Sequence, residues 1–225
     1  MKITEAIKNH RGQPFEIPDC GRNDLPKAFK EMGFKVGAEI GTYKGEYTEE
    51  FLKEGLKMYA VDPWKAYGNY NDRNYPGGFQ KRQDFLYEHT KRVFEPYGDL
   101  AVIVRKTSMD AVKDFEDESL DFVYIDGHHG FRYVAEDLYE WPLKVKKGGI
   151  IAGHDYALNK KGARDPNVLH VKYVLHAYVK AFGITNWYVL GRKNPPGERV
   201  RPGVIAHNGI EEKRDKWRSW MWVKE

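Results

Sequence analysis

Short apolar runs alternate with amphipathic stretches through most of this chain. "VGAEI" (36–40), "KMYAVD" (57–62), "LAVIV" (100–104), "LDFVYID" (120–126), "GGIIAG" (148–153) and "TNWYVLG" (185–191) are too short for helices and rich in β-branched or aromatic residues, so they read as six strands. The segments between them have helical spacing. "YTEEFLKEG" sets Phe51 and Leu52 among charges and stops at Gly55. "GFQKRQDFLYEHTKRVF" puts Phe79, Leu86 and Val93 on one side. "SMDAVKDF" opens with Ser108 as an N-cap, and "YVAEDLYEWPLKV" follows the fourth strand. "NVLHVKYVLHAYVKAFG" is the longest helix, with Val168, Val171, Val174, Leu175 and Val179 in register.

Strand–helix alternation of this length implies a parallel sheet covered by helices on both faces, and right-handed crossovers make it doubly wound. The alternation breaks near the end of the sequence. "PGVIAH" and "WRSWMWVK" are strand-like with no helix between them, so an antiparallel strand at or near one edge is expected from "SWMWVK". Residues 1–35 read as an N-terminal helical extension, with "RNDLPKAFKEMGFK" a helix starting at Asn23 or Asp24, ahead of a main domain over 36–225.

In such a sheet ligands bind beyond the carboxyl ends of the strands, near a switch in strand order. After the first strand comes "EIGTYKG" (39–45), in which Gly41 and Gly45 permit a tight turn. The dinucleotide fingerprint GxGxxG is absent, since Tyr43 stands where that pattern allows no bulk, and a pyrophosphate is disfavoured. Asp62 ends the second strand at a distance suited to ribose hydroxyls, with Trp64 beside it. Ser108 follows the third strand. Asp126, His128 and His129 crowd the end of the fourth, and His154 with Asp155 the end of the fifth. Two neighbouring strand ends thus carry acid and imidazole groups facing the same crevice, which favours a site over a purely structural role.

The bulk numbers narrow the partners. The net charge of +4 is mild and the basic residues are interspersed with acidic ones, so no stripe of the nucleic-acid type exists. No run approaches the roughly 18 apolar residues of a membrane span. A lone cysteine, Cys20, excludes an internal disulfide and any CxxC metal site, which together with a start lacking a signal-peptide core suits the cytoplasm. The loops 66–78 and 156–167 read as lids over the crevice, where Arg73, Lys160, Lys161 and Arg164 stand as solvated charges or greet an acidic acceptor. The N-terminal helices offer a surface for a homo-oligomer.

The segments "VGAEIGTYKGEYTEEF", "YAVDPW", "DFVYIDGHHGFRYVAEDLYEWPLKVKKGGIIAGHDY" and "VKYVLHAYVKAFG" resemble class I S-adenosylmethionine-dependent methyltransferases, and more narrowly the macrocin- and mycinamicin-type sugar O-methyltransferases. The resemblance runs from about Val36 to Trp187, with "SWMWVK" matching the last strand. It implies a Rossmann-like α/β fold with a doubly wound, mostly parallel, seven-stranded sheet whose last strand is antiparallel. It implies S-adenosyl-L-methionine as cofactor. Glu39 and Gly41 would face its methionine part, Asp62 its ribose and Ser108 its adenine, with Thr42, Gly45, Trp64 and Asp126 also lining the cofactor site. It implies a small-molecule acceptor bearing a hydroxyl, a sugar or a glycosylated metabolite, and His129 as general base beside Asp126. In metal-dependent relatives the positions of Asp126, His154 and Asp155 hold a divalent cation such as Mg²⁺. Here an imidazole replaces one oxygen ligand, which leaves open whether His154 binds metal or orients Asp155.

Other classes remain on the same sheet. A nicotinamide-dependent oxidoreductase would bind NADH in place of S-adenosylmethionine. A non-catalytic fold relative would be indifferent to His129→Ala. A nucleic-acid methyltransferase would want [N/D]PP[Y/F] where this chain has "IDGH".

Overall fold

The computed structural model describes residues 1–66, 80–157, 169–191 and 217–225 in full, and 203–207 and 210–214 as backbone. Eight strands form the main sheet: β1 (Phe15–Ile17), β2 (Val36–Ile40), β3 (Lys57–Val61), β4 (Ala101–Val104), β5 (Leu120–Ile125), β6 (Val145–Gly153), β7 (Trp187–Leu190) and β10 (Trp220–Val223). The helices are α1 (Ile3–Asn9), α2 (Leu25–Glu31), α3 (Glu46–Lys53), α4 (Gln80–Phe94), α5 (Ser108–Ala111), α6 (Phe131–Lys144) and α7 (Val171–Ala181). A separate antiparallel hairpin joins β8 (Gly203–His207) to β9 (Ile210–Arg214).

The sheet order is β1-β7-β10-β6-β5-β2-β3-β4. All seven expected strands are present, and β10 runs antiparallel between β6 and β7. The eighth strand corrects the purely helical reading of residues 1–35, because β1 pairs parallel with β7 at the edge of the sheet. Three residues flanked by Pro14 and Pro18 carry too little periodicity to announce a strand. The chain leaves β2 in one direction for β3 and β4, and returns to β2's other side with β5. That reversal places the switch point between β2 and β5, where the Asp126 N–H donates to the Ile40 carbonyl at 2.8 Å.

Each central strand is apolar on both faces because both are covered. On β5, Val123 and Ile125 pack with α6 and α7 through Val134, Leu138, Trp141, Val174 and Leu175. Phe122 and Tyr124 face the opposite layer, among Leu25 and Phe29 of α2 and Phe51 of α3. The N-terminal helices therefore share the main core, and their last turn before α2 lies over the switch point.

Several local expectations shift. Thr107, not Ser108, caps α5: its hydroxyl accepts from the Asp110 N–H at 3.2 Å and donates to the Asp110 carboxylate at 2.7 Å. The fifth expected strand is longer than "GGIIAG": α6 ends at Lys144, β6 begins at Val145, and Lys146 pairs with Asp121 at 2.7 Å. The helix expected from Asn167 starts at Val171, and α4, not α7, is the longest described. Phe79, Val168, Arg73, Lys160, Lys161 and Arg164, and nearly all of both lids, lie outside the described residues.

Candidate active site

The turn after β2 is shaped by contact with its neighbours. Gly41 has φ of +93°, and a Cβ there would lie 2.3 Å from the Asp126 carbonyl oxygen, so a side chain would push β2 and β5 apart. Gly45 has φ of +82° at the start of α3, against the ring of Phe94. Tyr43 also adopts a positive φ of 54°, and three bonds hold it there. Its N–H donates to Asp62 Oδ2 at 3.0 Å, while its carbonyl accepts from Trp64 Nε1 at 2.8 Å and Thr90 Oγ1 at 3.3 Å. Asp62 also accepts from the Trp64 N–H at 2.8 Å. The buried Asp62 carboxylate thus ties the ends of β2 and β3 together in one orientation. Trp64 is wholly buried, and in this structure its indole braces the turn.

Glu39 is buried and accepts a short hydrogen bond from Thr48 Oγ1. Burial pushes its carboxyl up to about 8, against the Thr48 bond that lowers it. An acid of this kind holds its proton more tightly folded than unfolded. Its burial costs nothing below pH 4.5 and progressively more as the pH rises toward 8. Glu39→Gln is therefore expected to leave Tm unchanged at pH 4.5 and raise it at pH 8.5, as thermal melts at the two values will read.

Ser108 is engaged on both sides. It donates a short bond to Asp137 Oδ1 and accepts from Trp141 Nε1 at 2.7 Å. Burial raises the Asp137 carboxyl to about 7, with the Ser108 bond opposing. Asp137 was missed in the sequence, although it stands within the apolar stripe Val134, Leu138 and Trp141 of α6, where an acid is out of pattern.

The ends of β5 and β6 bring four of the expected groups together. Gly153 closes β6 against the Trp220 ring, and the Trp220 indole donates to the His154 carbonyl at 2.8 Å. Asp155 follows with a positive φ of 58°. Its Oδ2 lies 2.6 Å from His129 Nε2, and Asp126 Oδ1 is 3.8 Å from the same nitrogen. Burial would lower the His129 pKa, but the Asp155 and Asp126 carboxylates outweigh it and bring it up to about 10. Burial likewise opposes ionisation of Asp155, but His129 and His154 hold its carboxyl well below the usual carboxylate range. His154 Nδ1 is 3.7 Å from Asp126 Oδ1 and 3.6 Å from Asp155 Oδ1. One donor atom from each of Asp126, His154 and Asp155 falls within 4.8 Å of the others.

His128 does not join them in this arrangement. Its Nδ1 accepts from the Gly130 N–H at 2.9 Å and its ring stacks on Tyr133. Arg22, which the sequence did not single out, arrives from the turn before α2 and sits 3.7 Å from Asp126 Oδ2.

The strand order and the acidic rim at its switch point define the class I, Rossmann-like fold of S-adenosylmethionine-dependent methyltransferases. The family described as "Methyltransferase domain" matches residues 38–156, more than half of the chain, and this chain belongs to it. Solved structures agree on the fold. The O-methyltransferase from Bacillus cereus in complex with SAH is 13% identical and superposes with a TM-score of 0.56 over 90% of this chain and 80% of that one. The O-methyltransferase TomG from Streptomyces achromogenes, in complex with SAM, is 9% identical with a TM-score of 0.54 over 91% and 79%. The precorrin 8W decarboxylase from Methanobacterium thermoautotrophicum is 14% identical with a TM-score of 0.53 over 90% of each chain. A curated relative from Sinorhizobium fredii, "Uncharacterized protein y4gI", is 26% identical over 106 residues, which are 47% of this chain and 11% of that protein. The chain thus spans about a tenth of that relative. Among the described residues no helix is long and apolar enough to cross a membrane.

Proposed function

We propose that this chain transfers the methyl group of S-adenosylmethionine to a hydroxyl oxygen of a small molecule, a sugar or glycosylated metabolite, with His129 as general base. The observation that carries the reading is the meeting of the glycine turn, Asp62 and the Asp126–His129–Asp155 group at one switch point. Two features fit this cofactor to the chain. Thr42 Oγ1, in the turn, is buried without a hydrogen-bond partner among the described residues, as expected of a group whose partner is a ligand. Asp62 is oriented by two backbone donors, as a diol acceptor must be. The sugar class rests on the resemblance of residues 121–156 to sugar O-methyltransferases.

When bound, the cofactor supplies a methyl already activated on a sulfonium. The tasks left to the chain are alignment and removal of one proton. His129 takes that proton, and the imidazolium so formed is the state that the Asp155 and Asp126 carboxylates stabilise. His129 must be neutral to begin, and the two carboxylates oppose that. Asp126, His154 and Asp155 have the spacing to hold a divalent cation, which would orient the acceptor hydroxyl and lower its pKa. Their mixed oxygen and nitrogen donors suit a transition metal better than Mg²⁺. Were such an ion to engage Asp126 and Asp155, His129 would lose the partners that keep it charged, and its pKa would fall.

Calorimetric titration of the full chain tests the reading. S-adenosylmethionine and S-adenosylhomocysteine are expected to bind with micromolar affinity in EDTA, and NADH not at all. Methyl transfer to hydroxylated acceptors is expected to fall in EDTA and return with a divalent cation. Absence of binding by either adenosyl ligand sinks the proposal, and binding of NADH alone favours the oxidoreductase.

A further inference from the structure

Arg22 opens a short 3-10 turn, Arg22–Asp24, between β1 and α2. The turn is fixed at both ends. The Gly21 N–H donates to Asp24 Oδ2 at 2.7 Å, and the buried Tyr47 of α3 donates its hydroxyl to the Arg22 carbonyl at 2.7 Å. The Arg22 guanidinium then folds back over the Tyr47 ring, 4.8 Å from its centroid, which orients it at the ends of β2 and β5. Its neighbours there are Glu39, Tyr124 and Asp126. Its ion pair with Asp126 Oδ2 is 3.7 Å long, outside hydrogen-bond range, and among the described residues its side chain makes no hydrogen bond.

An arginine carries five donors in a rigid fork. One held in place without using that fork is preorganised for an anion. The anion has to suit a crevice that also takes a sulfonium, since an anion on the guanidinium's free donors would also offset the charge of that second cation. On the cofactor reading, with Asp62 at the ribose, the amino-acid end of the cofactor would extend past Gly41 toward Glu39 and Asp126. Its α-carboxylate is then the anion within reach, and its α-ammonium suits the acids beside Arg22.

We propose that Arg22 binds the α-carboxylate of the cofactor's methionine moiety through its guanidinium fork, with Tyr47 as the platform that holds it. This rests on the cofactor reading above, and the test separates the two. S-adenosylhomocysteine and 5′-methylthioadenosine share the nucleoside and thioether, but the second lacks the amino acid. Calorimetry on the full chain, wild type and Arg22→Gln, is expected to give a 10- to 50-fold loss of S-adenosylhomocysteine affinity in the variant. The affinity for 5′-methylthioadenosine should stay within about twofold, and Arg22→Lys should recover part of the loss. Equal losses for both ligands would mean that Arg22 only supports the fold, and would overturn the assignment. So would an Arg22→Gln variant that binds S-adenosylhomocysteine like the wild type, which leaves an anion on the acceptor as the guanidinium's partner. A wild type that binds neither ligand overturns the cofactor reading and this inference together.

Discussion

Asp62→Ala is expected to weaken S-adenosylhomocysteine binding at least ~100-fold, about 2.7 kcal/mol. Two losses add. The ribose diol loses its charged acceptor, and hydrogen bonds to an ionised group contribute about 1.5–3 kcal/mol each. The Tyr43 and Trp64 N–H groups also lose the carboxylate that accepts from both, so Tyr43 is no longer held at its positive φ and the turn leaves its binding shape. Asp62→Asn keeps the side-chain volume and one oxygen acceptor, and should fall between wild type and alanine. Calorimetry on the three proteins, with circular dichroism to establish that each is folded, provides the check. An alanine variant that binds like the wild type would remove Asp62 from the ribose site.

The groups legible in the sequence are those whose role is local. Asp62 and Asp126 follow an apolar run directly and Asp155 follows one by a single residue, and a strand's carboxyl end in a parallel sheet is a position that a linear pattern can locate. The strands were legible because burial on both faces writes continuous apolar runs such as "LDFVYI". What stayed hidden depends on tertiary geometry. Nothing in "CGRND" says that the turn it forms will lie over β5, because that follows from β1 docking beside β7 and α2 packing near Phe122. The insertion of β10 between β6 and β7 is of the same kind. His128 and His129 are adjacent in sequence, and only the turn geometry decides that one ring caps Gly130 while the other meets Asp155. Ser108 was singled out for its place in the chain, but its hydroxyl is engaged by Asp137 and Trp141 on a neighbouring helix. Asp137 is different, because its place in the α6 apolar stripe was a signal present in the sequence and passed over.

His129→Ala is expected to lower kcat for methyl transfer about 10²- to 10⁴-fold, the usual span for losing a general base, while S-adenosylhomocysteine affinity stays within about threefold. A non-catalytic protein would show no transfer to lose, and a support role for His129 would move both numbers. The Asp155 partner gives a sharper arm. Asp155→Asn removes the carboxylate 2.6 Å from Nε2 and keeps a side chain that tolerates a positive φ. The His129 pKa, raised to about 10 in the native protein, should then fall toward 6.5 or below, since burial now acts with less opposition. Histidine NMR titration in EDTA reads this directly. Stability follows the same linkage. The pair's contribution on the histidine side is fully present below pH 6.5 and is lost as the pH rises through about 10. At pH 7 Asp155→Asn should therefore destabilise the protein, but by less than the roughly 3–5 kcal/mol of a stranded buried charge, because the imidazole can discharge. If His129 is the base, the ascending limb of the pH–rate profile of the residual activity in EDTA should move to lower pH in Asp155→Asn along with the NMR pKa. If the limb stays in place while the NMR pKa moves, some other group takes the proton.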